Sequence, residues 1–256
     1  MSKSVTFIVR TFMDTDRPSA LLKEPNTWLL SRHWVKARIR LYHELTLKSI
    51  LNQSFQDFRI LVLCGQRHKE TTQKIKWHPR VEVCYDEGRA VYESIQTDYL
   101  SVTRIDSDDL MHRDVMAEVR DNQIHTNGRA CLVFNKCLSW RIPDRLLSIH
   151  HRNTPPTFTH IFPKSIYHNW SLLYKQHFLS HGRACRNGRK ELSKNRYCIV
   201  KHWLGNCRIR HGQPLHVMSE EERQTVAKKY PQWVVLDREK IKEILKDFAV
   251  DEKWIK

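Results

Sequence analysis

Four short apolar runs mark the first half of the chain: Val5 to Val9, Arg59 to Cys64, Val81 to Tyr85 and Tyr99 to Ile105. Each is rich in β-branched or aromatic residues and bounded by polar ones, the pattern of a buried strand. Between them the apolar positions follow helical spacing. The longest such stretch runs from Arg32 to Asn52, with Val35, Ile39, Tyr42, Leu45 and Ile50 on one face. Shorter ones cover His68 to Lys76, Glu87 to Gln96 and His112 to Ile124. Strand and helix thus alternate four times, which predicts parallel strands joined by helical crossovers in an α/β sheet with helices on both faces. Ligands of such sheets gather at the carboxyl ends of the strands. Those ends are Arg10-Thr11, Cys64-Gly65, Tyr85-Asp86 and Ile105-Asp106.

The pattern changes after residue 128. Ala130 to Leu138 and Leu146 to His150 read as strands added antiparallel to the sheet. Thr154-Pro155-Pro156 and Phe162-Pro163 read as loop breaks. Ser165 to Leu179 has helical spacing, Gly182 to Asn195 is a basic polar loop, and Tyr197 to Trp203 suits a last strand. From residue 216 two helices follow. Ser219-Glu220-Glu221-Glu222 is a capping box opening a helix through Lys229. Asp237 caps the second, whose Ile241, Ile244, Leu245 and Phe248 form an apolar stripe. The organisation is therefore three segments, 1–128, 129–215 and 216–256, the last a helical extension made for packing.

Composition narrows the chemistry. Only 7 of 256 residues are glycine. No G-x-G-x-x-G or G-x-x-x-x-G-K-[ST] occurs, which argues against a dinucleotide fingerprint and a P-loop. The 7 cysteines include no C-x-x-C pair, so zinc ribbons and dithiol redox sites are disfavoured, and Cys64 and Cys84 read as buried thiols. There is no leader pattern and no apolar run of bilayer length, so the expected location is cytoplasmic. The formal charge of +16 is lopsided. Between Lys136 and Leu215 stand fifteen Lys and Arg but only two carboxylates, Asp144 and Glu191. Such a segment suits a polyanionic partner: a nucleoside diphosphate, an acidic glycan, an anionic membrane face or nucleic acid.

The sharpest chemical signal is Thr103-Arg104-Ile105-Asp106-Ser107-Asp108-Asp109. Three carboxylates within four residues repel one another unless something offsets their charge. Mg²⁺ or Mn²⁺ would, since it takes hard oxygen ligands, commonly one or two carboxylates completed by substrate phosphates. An extended chain places Asp106 and Asp108 on one side. Asp109 then points elsewhere or caps the next helix. An EF-hand is excluded, because its loop glycine and terminal glutamate are missing.

A strand with D-x-D at its carboxyl end and a basic second half resembles a GT-A-type glycosyltransferase. More narrowly, the chain resembles the rhamnosyltransferase-like family. The matching stretches are Phe7 to Phe12, Trp34 to Arg38, Ser49 to Phe58 (S-I-x-x-Q-S-x-x-D-F) and Tyr99 to Leu110. The resemblance implies a GT-A-like, Rossmann-like mixed sheet flanked by helices, with 1–128 as the nucleotide-sugar donor half and 129–215 as the acceptor half of one domain. It also implies a hexosyltransferase that uses Mn²⁺ or Mg²⁺, a nucleotide-diphosphate sugar donor (rhamnose being one candidate) and a glycan or lipid-linked acceptor, in polysaccharide biosynthesis at or near a membrane face.

The resemblance also suggests roles. Asp108 ligates the metal, Asp106 contacts the ribose or the metal's water, and Asp109 holds the donor sugar. Arg10, Thr11 and Asp86 hold the nucleoside, and Arg89 reaches the diphosphate. Arg104 either meets the donor or pairs with a carboxylate. The third metal ligand of such folds comes late in the chain and is often histidine, here His202 with Asn206 nearby. His177 and His181, spaced i, i+4, are a weaker pair. An inverting enzyme needs a carboxylate base from the acceptor half, which leaves Asp144, near Trp140 as a sugar platform, or Glu191 in a closing loop. The competing class is a basic polyanion- or nucleic-acid-binding protein. It explains the charge but not the acidic cluster, and no RNP motif or zinc finger is present.

Overall fold

A computed structural model describes residues 3–13, 32–142, 146–151, 157–177, 189–201, 219–229, 233–235 and 238–255. The four apolar runs form strands β1 (Val5–Phe12), β2 (Arg59–Leu63), β3 (Val81–Cys84) and β4 (Tyr99–Asp106). They pair in parallel, in the order β4-β1-β2-β3. The crossovers carry α1 (Arg32–Leu41), a π turn (Tyr42–Thr46) running into α2 (Leu47–Leu51), then α3 (Lys69–Gln73) and α4 (Arg89–Glu93). After β4 come the two-residue strand β5 (Leu110–Met111) and α5 (Val115–Asp121). The periodicity located these helices but overran the ends of α4 and α5.

The second half extends the sheet. Strands β6 (Ala130–Arg141), β7 (Leu146–His151) and β8 (Phe158–Pro163) are followed by α6 (Lys164–Tyr167), α7 (Trp170–His177) and β9 (Arg189–Lys201). Then come α8 (Glu220–Lys229), β10 (Trp233–Val235) and α9 (Arg238–Leu245). β8 lies antiparallel between β4 and β6. Along one edge β6 pairs β8 over Ala130–Val133 and then β7 over Lys136–Arg141, while β9 runs parallel along its other edge. The result is a mixed α/β sheet of GT-A-like architecture.

Three readings of the sequence change. Phe162-Pro163 is no loop break but the end of β8, because a proline at a strand terminus forfeits no interior ladder bond. Arg189 to Asn195 is no loop either. It is the first half of β9, paired with Cys131–Lys136, since β6 supplies a ladder that its polar side chains do not disclose. The stretch read as one helix from Ser165 to Leu179 is α6 and α7. The cap Asp237 and the loop around Thr154 lie outside the described residues.

Alternation along the strands loads both faces of the sheet. Phe7, Val9 and Ile105 pack with Trp34, Val35 and Ile39 of α1 and with Val115, Met116 and Val119 of α5. Ile8, Leu61, Leu63, Leu100 and Val102 pack with Tyr92 of α4, Tyr167 and Leu173. Cys64 and Cys84 are buried as free thiols, as expected. On α9, Ile241 and Leu245 are buried with the nearby Phe248, whereas Ile244 is exposed.

Candidate active site at the carboxyl edge of the sheet

The register between β1 and β4 sets Arg10 beside Arg104 and Phe12 beside Asp106. Residues two apart share a face, so these four side chains meet on the α4 side of the sheet. Arg104 donates from Nη2 to Asp106 Oδ1 at 3.0 Å. Its guanidinium lies 5.7 Å from the Phe12 ring centre and 5.8 Å from that of Phe158. Arg10 stands 4.4 Å over Phe12 and is buried beside the Tyr92 phenol. Burial, above all, lowers the Arg10 guanidinium to about 10, and Arg104 adds to that shift while Tyr92 opposes it. Arg10 therefore stays a cation at neutral pH. The same burial pushes the Tyr92 phenol up to about 12.

Strand geometry stops at Asp106. A turn follows, closed by the Asp109 N–H donating to the Asp106 carbonyl at 3.1 Å. The period of two that would set Asp106 and Asp108 on one side therefore no longer applies, and the two carboxylates pair with different arginines. Asp108 turns to α1, where Arg38 donates from Nη1 to its Oδ2 at 2.5 Å and from Nη2 to Ser107 Oγ at 2.5 Å. This pair is mostly shielded, with side-chain exposures of 8% for Arg38 and 16% for Asp108. Arg38 also stands 5.5 Å over Trp34. Asp109 is buried and accepts the Val200 N–H of β9 at 3.1 Å. Three adjacent carboxylates thus face α4, α1 and β9 respectively.

The S-I-x-x-Q-S stretch braces this turn from below. Ser49 Oγ accepts the Met111 N–H, and Gln53 Oε1 accepts the Met116 N–H at the start of α5. Gln53 Nε2 donates to the His112 carbonyl.

Other expected residues are placed as follows. Thr11 points to the opposite face from Arg10 and is buried beside the Tyr42 phenol. Asp86 holds the turn into α4, accepting the Gly88 N–H at Oδ1 and the Ala90 N–H at Oδ2, each at 3.1 Å. Arg89 pairs with Glu93 at 2.7 Å and lies 6.0 Å over Trp170. Glu191 accepts Asn135 Nδ2 at 2.7 Å and pairs with Arg189. It faces the same side as Arg104, but three strand spacings away through β8 and β6, about 14 Å along a flat sheet at ~4.8 Å per strand. Trp140 is wholly buried, which leaves no face for a sugar. Asp144, His181, His202 and Asn206 lie outside the described residues, as does the side chain of His177.

Among the described residues, no three His, Cys, Asp or Glu side chains converge as a metal cage. The donor set still suits a hard divalent ion, which needs only one or two carboxylates when phosphates and water complete its shell. Asp106 has a side chain 35% exposed. Sequence reasoning missed Arg38. Its signal was a charged residue three positions after Val35 and four after Trp34, on the face that periodicity assigns to the core.

A parallel sheet extended by antiparallel strands, with an acidic turn at its carboxyl edge, fits the class of GT-A-like α/β transferases. Within that class it belongs to the family described as "Putative rhamnosyl transferase", whose model matches residues 13–171. The fold is similar to that of S. aureus TarS 1-349, at 12% identity and a TM-score of 0.41, covering 95% of this chain and 70% of that one. Its complex with UDP matches at 13% identity and a TM-score of 0.41, covering 87% and 70%. The inositol-1-phosphate CTP transferase from T. maritima matches at 8% identity and a TM-score of 0.38, covering 82% and 96%. No curated protein matches the chain. No helix among the described residues is long and apolar enough to cross a membrane.

Proposed function

We propose that this glycosyltransferase draws its sugar, rhamnose by family, from a nucleotide-diphosphate donor seated over Arg10, Arg104, Asp106 and Asp108. The observation that carries the reading is the meeting of Arg10, Arg104 and Asp106 at the carboxyl edge of the sheet, two residues before the Arg38–Asp108 pair, in a family of sugar transferases. Arg104, held by Asp106 between two phenyl rings, presents a cation to the diphosphate. Arg10 below it adds a buried charge whose field the surrounding apolar core does little to screen. Asp106 and Asp108 would hold Mg²⁺ or Mn²⁺, which would offset charge on the departing diphosphate. Glu191, oriented by Asn135 and Arg189, is the described candidate for the base that takes the acceptor proton if the configuration inverts. The acceptor is a glycan or lipid-linked sugar bound across the basic second half. The family assignment favours this over a polyanion-binding protein without activity.

Thermal melting with UDP and dTDP, with and without Mn²⁺, tests the donor site. A nucleotide at a hundredfold its Kd stabilises by about 2.7 kcal/mol, a shift of a few degrees in a domain of this size. The shift should require Mn²⁺ and vanish in Asp108→Ala. Undiminished nucleotide affinity in that variant would remove Asp108 from the site.

A further inference from the structure

Arg38 is a buried cation on the apolar, packed face of its helix. It sits on the packed face of α1, 6% exposed, among Trp34, Val35 and Ile39. Its Nε is buried without a hydrogen-bond partner. Both terminal nitrogens are spent on the acidic turn, one on Asp108 and one on Ser107, each at 2.5 Å. The neighbouring pair is built differently. Arg104 and Asp106 are joined by one bond of 3.0 Å, and Asp106 is twice as exposed as Asp108.

We propose that Arg38 competes with the divalent cation for Asp108, so that the ion is taken up together with the nucleotide and not before it. The proposal rests on the metal-dependent donor site set out above. A divalent ion reaching Asp108 alone must displace a guanidinium held by two charge-assisted or short bonds, or settle within a few ångströms of it. In a shielded pocket like charges at such range repel strongly. A diphosphate changes the balance, because its negative charge offsets both cations and its oxygens fill the ion's shell. Arg38 thereby keeps the acidic turn satisfied while no donor is present.

The test is titration of the purified protein with Mn²⁺ alone and with Mn²⁺ plus UDP, read by calorimetry and by the paramagnetic resonance of free Mn²⁺. The wild type should take up Mn²⁺ at least tenfold more tightly with UDP than without. Arg38→Gln should bind Mn²⁺ alone at least tenfold more tightly than wild type, and Mn²⁺ alone should raise its melting temperature. Arg38→Lys keeps the charge and the buried stem but loses the fork onto Ser107, and it guards against a folding defect. It should bind Mn²⁺ alone severalfold more tightly than wild type. UDP-linked Mn²⁺ uptake by the wild type, with no gain in Mn²⁺ affinity in either variant, overturns the proposal alone. If no variant takes up Mn²⁺ even with UDP, the metal-dependent donor site fails and the proposal falls with it.

Discussion

Each of the three adjacent aspartates answers to a different partner, and substitution should separate them. Asp108→Asn leaves Arg38 buried without its counter-charge. Breaking a shielded pair from one side costs about 3 kcal/mol, readable as a lowered urea midpoint. Adding Arg38→Met should return much of that loss, since both charges are then gone. Asp109 behaves otherwise. Asp109→Asn keeps an acceptor for the Val200 N–H and should leave nucleotide affinity near wild type. Asp109→Ala leaves that buried N–H unmet and should cost about 2 kcal/mol. Equal loss of nucleotide binding in both would place Asp109 on the donor instead of on the strand. The cluster was legible in the sequence as a density of charge. Its division was not, because the period of two holds only while the chain stays extended, and the turn at Ser107 ends it.

At the level of elements, the apolar runs of β1 to β4 announced themselves because both of their faces are buried. The first half of β9 did not, since a ladder depends on a neighbour's backbone and leaves little mark in basic side chains such as Arg189 and Lys190. α4 shows how a short helix is anchored by its entry. Gly88 at φ 83° makes the left-handed step, and a Cβ there would come within 3.2 Å of Tyr92 Cε2. Asp86 accepts the two N–H groups that follow. Asp86→Ala should therefore cost about 1 kcal/mol by loss of the hydrogen bonds that hold the turn, and Asp86→Asn much less. Because α4 carries Tyr92 against Arg10, the alanine variant should also bind UDP more weakly, measured by calorimetry. A large loss of UDP affinity in Asp86→Asn with stability intact would return Asp86 to the nucleoside.

On the scale of the whole molecule, a charged knot ties α5, β9 and the turn after α9. Arg196 donates to His112 Nδ1 at 2.7 Å and to Glu118 at 2.9 Å, and the Asp114 N–H also reaches His112 Nδ1 at 3.2 Å. Arg196 Nη1 also lies 3.3 Å from His112 Nε2, and Asp247 Oδ2 stands 3.5 Å from that nitrogen. Burial, then Arg196, lowers the pKa of His112, and burial and His78 lower that of His43. A histidine lowered on folding binds its proton better when unfolded. Its stabilising share is therefore intact above the unfolded value of about 6.5 and lost as pH falls below it. Unfolding free energy should decline between pH 7.5 and 5.5, and His112→Gln should flatten that slope in part, with His43 supplying the rest. An unchanged slope would mean that the knot does not titrate.

The hydrogen bond from Val200 to Asp109 has an engineering corollary. Family transferases are natural material for chimeras in which one enzyme's later portion, with its acceptor preference, is grafted onto another's donor portion. Here the graft would replace the amide that tethers Asp109 of the acidic loop to β9. A hybrid should keep that tether when the incoming strand offers an N–H at the same height, whatever sugar chemistry it brings.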